Sequence, residues 1–317
     1  MSDVQVVLGG SGGVGHAVAT RHTQQVETVR AVNRSGVIDS MPAGVDVVAA
    51  DAMDRGSITR ACEGASVIYH CVHPKDDYSQ FPTMTANIIH AAEALEAKLV
   101  MAASVYPYGK ADGPMTETLP HKPEAPSGTY HARAAELLME AHDGGRIRAT
   151  IGRASNYFGA HACRLWPGID FRAAVEDRKM QIIGKTAPLH TYTYVYDFAN
   201  GLIALGRHER ALGEIWHLPS AETVTTRQFL DMIYAETGTT PNVQVGPKPI
   251  IRVMSLFNAG MKPALEVFHQ FDRPFVVDHG KYARTFGATP TPHAEATAAT
   301  VAWVRQELAT DAERAAA

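Results

Sequence analysis

The sequence has little of what marks several large classes of protein. Three cysteines among 317 residues are too few for a disulfide framework and suit a reducing cytosol. No apolar run approaches the roughly 18 residues of a membrane-spanning helix, and the opening MSDVQVVLGG lacks the order of a secretory signal. A net charge of −4 offers no basic surface for nucleic acid. We therefore expect a cytoplasmic protein that binds neither membranes nor nucleic acid.

Histidine is abundant, but the sequence does not arrange it as a metal site. Among the 15 histidines, His70 and His73 stand close together without acidic or cysteine residues at a recognised ligand spacing. Cys163 likewise lacks a histidine or asparagine partner in the pattern of a thiol nucleophile. The sequence predicts no metal and no catalytic cysteine.

What the first half does contain is an alternation of short apolar runs and alanine-rich stretches. The apolar runs predict strands at residues 4–8, 27–32, 45–49, 66–71, 98–102 and 146–152. The segments between them predict helices at residues 13–21, 55–63, 83–97 and 132–142. Strands joined by helices imply right-handed crossovers. We therefore expect an α/β fold built on a doubly wound parallel sheet.

A glycine-rich loop joins the first predicted strand to the first helix, with the spacing GxxGxxG. Gly9 permits a tight turn, Gly12 lets a pyrophosphate approach the backbone, and Gly15 lets the helix pack closely on the sheet. The N–H groups at the helix start, near Gly13 and Val14, are free to bind phosphate. The pattern favours a bound dinucleotide over a flexible loop without a ligand.

The residues after the second and third predicted strands indicate which dinucleotide binds. An acidic residue after the second strand would accept the ribose 2′-hydroxyl of NAD, whereas this chain has Asn33 and Arg34 there. A guanidinium suits a 2′-phosphate, which favours NADP, while NAD stays open if Arg34 is only a solvated loop residue. Asp51 and Ala52 follow the third strand, where Asp51 either contacts the adenine or caps the helix near Asp54.

The alternation ends near residue 157, and short segments rich in proline follow. We expect a dinucleotide-binding domain over residues 1–160 and a mainly substrate-binding lobe over 161–317. Segments near 190–218 are expected to return to the first domain, so that the two parts are interwoven. A last alanine-rich helix is predicted over about 294–308, with a frayed tail.

Four further segments extend the pattern over nearly the whole chain. They are SVYPYG at 104–109, RASNYFG at 153–159, YVYDFA at 194–199, and WHLP at 216–219 with the threonines at 225–226. In this order they resemble the extended short-chain dehydrogenase/reductase superfamily, in its NAD-dependent epimerase/dehydratase branch. The resemblance implies a Rossmann-type domain with a smaller C-terminal substrate lobe above the strand ends. It also implies an NADP-dependent oxidoreductase or epimerase acting on a carbonyl or secondary alcohol of a small molecule.

The same resemblance assigns residues to the two ligands. Those expected to line the cofactor after the fourth and sixth strands are Cys71, Val72, His73 and Ser155. Those expected to face the substrate are Tyr106 and Asn156. Dimerisation through two helices is common in the family, so a homodimer is open, although the sequence does not identify the face.

Redox members of this family use a Tyr-x-x-x-Lys pair and a serine. The serine orients the substrate oxygen, the tyrosine donates a proton, and the lysine lowers the tyrosine pKa. Here Ser104 matches the serine and Tyr130 is the candidate tyrosine, but Ala134 stands where the lysine would be. Arg133 would supply positive charge instead, with His131 as a second neighbour of Tyr130. Tyr130 is thus either the proton donor or a helix residue that packs on the substrate lobe.

The missing lysine leaves two other functions open. One is a catalytically degenerate protein that binds a dinucleotide as a sensor. The other is a non-redox isomerase or cyclase that moves protons through His190 or Tyr192, which share one face of a predicted strand. The same two residues are candidate substrate contacts, and His190 is equally well explained as a structural histidine.

The sequence does not determine the substrate. Arginines suited to the pyrophosphate of a sugar nucleotide are Arg164, Arg172, Arg252 and Arg273. Aromatic residues that suit an apolar small molecule equally well are Trp166, Phe171, Phe271 and Phe275.

Overall fold

A computed structural model gives the structure of residues 3–25, 28–74, 77–165, 169–258 and 262–316. Its strands are β1 (Val4–Leu8), β2 (Thr28–Asn33), β3 (Asp46–Ala49), β4 (Ala65–His70), β5 (Lys98–Ser104), β6 (Arg148–Ala154), β7 (Asn156–Phe158), β8 (Arg164–Leu165), β9 (Ile169–Asp170), β10 (Met180–Ile183), β11 (Leu189–His190), β12 (Tyr192–Tyr194), β13 (Ile215–His217), β14 (Val224–Thr225) and β15 (Val243–Gly246). Its α-helices are α1 (Gly13–Thr23), α2 (Arg55–Ala61), α3 (Phe81–Ala94), α4 (Pro126–Asp143), α5 (Phe171–Val175), α6 (Val195–Arg207), α7 (Thr226–Thr237), α8 (Lys248–Phe257), α9 (Lys262–Glu266), α10 (His269–Asp272), α11 (Gly280–Phe286) and α12 (His293–Ala316).

A seven-stranded parallel sheet forms the centre of the molecule. Its order is β3-β2-β1-β4-β5-β6-β13, so that the winding reverses beside β1, which pairs with β2 on one side and β4 on the other. Such a reversal leaves a crevice at the carboxyl ends of the strands. The predicted α/β fold with a doubly wound parallel sheet is therefore confirmed.

Helices cover both faces of this sheet, which explains why its central strands are continuously apolar. On one face, α2, α3 and α4 bury Ile58, Ile88 and Leu138 against the sheet. On the other face, α1 and α6 bury Val18 and Leu202. Full burial of one such side chain contributes about 1.5–3 kcal/mol, so these contacts fix the helices and the loops that precede them.

Two elements of the segment 190–218 lie against the first part of the chain. Helix α6 packs on α1, and β13 extends the sheet by pairing with β6. Residues before α6 and after β13 form a separate apolar cluster that includes Phe158, Phe171 and Phe229. The boundary near residue 160 stays a prediction.

Two predicted helices differ from the structure at their ends. Helix α4 begins at Pro126, six residues before the predicted start, because proline is favoured in the first turn of a helix. Helix α12 continues to Ala316 instead of ending near 308, since alanine has the highest helix propensity. The predicted second strand included Glu27, which lies outside the described residues. The earlier start of α4 places His131 in its second turn.

Candidate active site

A cleft opens at the carboxyl ends of the central strands and consists of two adjoining cavities. The larger cavity, of about 850 Å³, extends over the ends of β1, β2 and β3. The smaller cavity, of about 350 Å³, extends over the ends of β4, β5 and β6. The residues that line both are Gly12, Cys71, Val72 and His73. The two cavities therefore share a wall at the start of α1.

The glycine loop shapes that shared wall. Gly9 has φ +83°, and a Cβ there would lie 2.5 Å from the Cys71 carbonyl oxygen. A Cβ on Gly15 would overlap the Gly9 carbonyl oxygen, so the protein itself requires both glycines. A Cβ on Gly12, in contrast, would meet only an ordinary contact at 3.5 Å. Gly12 also begins α1 without a side-chain cap or an acidic residue in the first turn, which leaves N–H groups available to an anion.

The larger cavity gathers the residues predicted to choose the dinucleotide. Asn33, Arg34, Asp51 and Ala52 all line it. The Asn33 carboxamide is held by its own turn, since its oxygen accepts the Gly36 N–H at 2.7 Å. Asp51 accepts the Met53 N–H at 3.0 Å, whereas Asp54 caps α2 through the Ser57 N–H. Of the two alternatives for Asp51, the helix cap is therefore excluded.

The smaller cavity gathers residues that were predicted to bind the cofactor or to face the substrate, together with several that were not predicted. Those predicted are Gly13, Val14, Ser104, Tyr106, Ser155 and Asn156. Ser155 is occupied, since its hydroxyl donates to the Thr191 carbonyl at 2.6 Å. Ser104 accepts only a long hydrogen bond of 3.4 Å from the Tyr106 N–H, so its hydroxyl proton stays available. Tyr157, His161 and Phe198 line it without having been predicted, and so does His131, which was predicted only as a neighbour of Tyr130.

Helix α4 presents His131 to the cleft rather than Tyr130. His131 is 3% exposed and lines the smaller cavity, whereas the half-buried Tyr130 lines neither cavity. Consecutive helical residues are rotated by about 100°, so the two rings cannot face the same space. Because Ser127, His131 and Leu138 share the buried face of α4, the helical period from Pro126 would have singled out His131.

Arg133 also lies away from the cleft. Its side chain is 47% exposed, and Nη1 contacts Glu140 at 3.0 Å and Glu136 at 3.5 Å on the same helix. The structure therefore does not bring Arg133 beside the cleft, and it separates Ser104 from the two α4 residues predicted to act with it.

His190 and Tyr192 share a face, as predicted, but that face is buried against the rings of Phe271 and Phe229. Their rings stack at 4.5 Å, and His190 lies 5.2 Å from the ring of Phe271. The Tyr192 hydroxyl is paired with Thr226 at 2.9 Å. Burial lowers the pKa of His190 to about 3. Neither residue lines the two cavities, so the structure supports neither as a substrate contact.

The arginines considered for a pyrophosphate lie elsewhere too. Arg172 pairs with Glu176 and Asp311, and Arg273 with Asp272. Arg252 is exposed on α8. Phe171, Phe271 and Phe275 are buried. The Arg164 side chain and Trp166 lie outside the described part of the chain.

Two findings concern metals and thiols. Among the described residues, no three histidine, cysteine, aspartate or glutamate side chains are grouped as ligands for a metal ion. Burial raises the pKa of Cys71 to about 12, so this thiol stays protonated in the cleft.

In the part of the chain that the structure describes, no helix has both the length and the apolar character needed to cross a bilayer.

Comparison with known proteins places the chain in a family. The model of the NAD-dependent epimerase/dehydratase family matches residues 5–218, and the chain belongs to this family. The resemblance inferred from the sequence is thereby confirmed.

One curated relative is the uncharacterised protein y4nL of Sinorhizobium fredii. It is 26% identical over 206 residues, which is 60% of this chain and 56% of y4nL, so the match spans little more than half of the relative.

Two solved structures share the fold. The epimerase Mth375 of Methanothermobacter thermautotrophicus has a TM-score of 0.83 at 17% identity, over 98% of this chain and 94% of its own. The dTDP-glucose 4,6-dehydratase of Bacillus anthracis, solved with NAD, has a TM-score of 0.78 at 17% identity, over 96% and 97%. At these identities the likeness establishes the fold alone.

Proposed function

We propose that the protein is an oxidoreductase that binds a nicotinamide dinucleotide along the whole cleft. The adenosine would occupy the larger cavity, and the diphosphate would lie on Gly12 and the start of α1. The nicotinamide would occupy the smaller cavity, where a small carbonyl compound or secondary alcohol would meet it. A dehydratase of the same fold was solved with NAD, which supports a dinucleotide in this cleft.

The observation that carries this proposal is the position of Gly12 between the two cavities. Nothing in the protein requires a glycine there, yet Gly12 lines both cavities and precedes the first, uncapped N–H groups of α1. A glycine of this kind is explained by close approach of a phosphate to the backbone. The chain therefore fits the diphosphate of a dinucleotide at this point.

We infer further that NADP is preferred over NAD. This preference is supported by the exposed side chain of Arg34, which lines the larger cavity beside Asn33 at the end of β2. A guanidinium can bind the 2′-phosphate that distinguishes the two cofactors. Ser104 is proposed to orient the substrate oxygen, because its hydroxyl proton is available at the reactive end.

Dinucleotide binding is tested with the variant Gly12→Ala. A methyl group fits the protein but obstructs the diphosphate, so we expect wild-type thermal stability and NADPH affinity weakened at least about tenfold, or 1.4 kcal/mol. The measurement is titration of NADPH fluorescence. Gly113→Ala is the matched control, because a Cβ there meets nothing within 4 Å. Failure of the wild-type protein to bind either NADPH or NADH would refute the proposal.

A second function is favoured by one observation at the reactive end. Of the described residues, none that lines the smaller cavity beside Tyr106 and Tyr157 is a lysine or an arginine. This arrangement suits a protein that binds the dinucleotide as a sensor without turnover. The sensor predicts NADPH binding without NADPH oxidation by any carbonyl compound, which steady-state absorbance measurements would show.

A further inference from the structure

His131 is a buried imidazole with no hydrogen-bond partner for either ring nitrogen among the described residues. It is only 3% exposed, yet it belongs to the wall of the smaller cavity. A buried polar group without a partner costs about 1–3 kcal/mol, so an unsatisfied imidazole is disfavoured unless a ligand completes it. His131 is therefore a candidate for direct contact with a bound molecule.

The surroundings of His131 are aromatic. Its ring centroid lies 4.8 Å from that of Phe81, 5.4 Å from Tyr106 and 5.9 Å from Tyr78. These rings hold the imidazole in one orientation while leaving its two nitrogens unsatisfied. His73, which lines both cavities and is exposed to the cleft, lies 5.3 Å away and connects this region to solvent.

Burial keeps His131 neutral. Desolvation, with the charges of His73, Arg153 and His70 acting in the same direction, lowers its pKa to about 3. A neutral imidazole carries one N–H donor and one acceptor nitrogen, so it can give a proton from one side and take one at the other. Burial raises the pKa of Tyr106, which therefore stays a hydroxyl donor rather than becoming a base.

Charged side chains are absent from this wall, as far as the structure describes it. The residues lining the smaller cavity include no aspartate, glutamate, lysine or arginine. The nearby carboxylate of Glu266 accepts the Ser127 hydroxyl at 2.7 Å. These uncharged and partly aromatic walls suit an uncharged aromatic or aliphatic carbonyl compound.

We propose that His131 and Ser104 together bind the oxygen of an uncharged carbonyl substrate, with His131 as the proton donor in place of a tyrosine. This proposal rests on the proposed function, since the bound reduced nicotinamide supplies the hydride. His131 would be a catalytic residue, and the substrate class would be small neutral ketones, aldehydes or quinones rather than sugar nucleotides.

The proton step balances without a charged intermediate on the protein. As the hydride bonds to the carbonyl carbon, the electron pair of the C=O π bond moves to the oxygen. That oxygen takes the proton from one ring nitrogen of His131, and the other ring nitrogen takes a proton from solvent in the cavity. The imidazole is neutral before and after the step, with its proton moved from one nitrogen to the other.

The test measures NADPH binding first and turnover second. Phenanthrenequinone is the uncharged probe, followed by loss of NADPH absorbance, and UDP-glucose is the charged probe, titrated by calorimetry into the NADP complex. We expect the wild-type protein to reduce phenanthrenequinone and to bind no UDP-glucose. His131→Phe should lower kcat at least about 100-fold, the size of a general acid contribution, and leave NADPH affinity unchanged. Tyr130→Phe should keep wild-type kcat, because its ring faces away.

If His131→Phe does not fold, His131→Gln replaces it, with an expected loss in kcat of at least about tenfold because an amide cannot relay the proton. Wild-type kcat in the folded His131 variant, or a larger loss in Tyr130→Phe, overturns the proposal. Binding of UDP-glucose, or no reduction of phenanthrenequinone by a protein that binds NADPH, overturns it as well. Absence of NADPH binding would instead refute the proposed function on which it rests.

Discussion

The two cavities of the cleft differ in whether the backbone or the side chains determine their shape. The larger cavity depends on backbone geometry, because glycines, strand ends and a helix start determine its shape. The smaller cavity depends on side chains that come from distant parts of the chain, such as Ser104 on β5 and His131 on α4. A change in the first should therefore act on folding or on dinucleotide affinity, and a change in the second on chemistry.

This difference also explains why the sequence identifies one cavity more readily than the other. The glycine spacing belongs to one loop, so its pattern identifies the larger cavity without knowledge of the fold. The reactive end has no such local pattern. Its residues meet only after the sheet has formed, and a one-residue difference on a helix decides which side chain arrives.

The largest effect should come from the glycine that the backbone itself requires. Gly15→Ala places a methyl group against the Gly9 carbonyl oxygen and 2.8 Å from the Gly9 carbonyl carbon, and overpacking of this kind costs about 3 kcal/mol. Gly12→Ala should cost less than about 0.5 kcal/mol because its methyl group has room. Urea unfolding of both variants measures the contrast. Equal stability of the two would remove the distinction between a structural and a ligand-facing glycine.

A second effect concerns the pH dependence of stability, which a change in the smaller cavity should alter and a change in the larger cavity should not. The pKa values of His131 and His70 are lowered to about 3 by burial, while an unfolded histidine titrates near 6.5. Between these values the unfolded chain binds more protons than the native chain, so native stability is complete above pH 6.5 and decreases as the pH falls toward 3. Each histidine contributes up to about 1.4 kcal/mol per pH unit within this window.

The measurement is the thermal midpoint from pH 7.5 to 4.5. His131→Gln should reduce the slope of that profile, while Gly12→Ala should leave it parallel to wild type. A slope unchanged in the His131 variant would show that folding does not lower the pKa of this imidazole.

A smaller effect is expected at the end of β2. Arg34→Gln removes the guanidinium proposed to bind the 2′-phosphate, so NADPH affinity should fall about tenfold while NADH affinity changes little. Parallel fluorescence titrations with the two reduced cofactors give the ratio. Equal losses for both would assign Arg34 to the shared part of the dinucleotide.

The smallest effect should come from Arg133. Its exposed pairs with Glu136 and Glu140 are screened by solvent and contribute little to stability, and Arg133 lines neither cavity. Arg133→Gln should therefore change neither kcat with phenanthrenequinone nor NADPH affinity. A marked loss of turnover would mean that α4 is oriented differently when the cleft is occupied.

Much of the fold could be predicted from local pattern alone. The strands at 4–8 and 98–102 and the helix starting at 13 follow from apolar period and glycine position, and the structure contains each of them. The return of β13 to the sheet follows from the order of the family segments. The start of α4 was predicted six residues late because nothing apolar marks its first turn. The sequence therefore did not show that His131 lies on the buried face of this helix.

Of the residues that line the larger cavity, Gly12, Asn33, Arg34 and Asp51 could be predicted because they follow strands whose ends converge at one edge. The location of His190 and Tyr192 outside both cavities could not be predicted, because alternation along a strand gives two faces without saying which one meets the cleft. Only packing shows that theirs is covered by Phe271 and Phe229.

By itself, the sequence of this protein determined the order of strands and helices and the position of the glycine loop between β1 and α1. Those properties depend on neighbouring residues, whose spacing controls which backbone conformations and hydrogen bonds are available. The tertiary structure alone decided that His131 rather than Tyr130 lines the same cavity as Ser104. Whether two residues 27 positions apart line one cavity depends on how α4 is rotated against the sheet, and that rotation is determined by the burial of its whole apolar face.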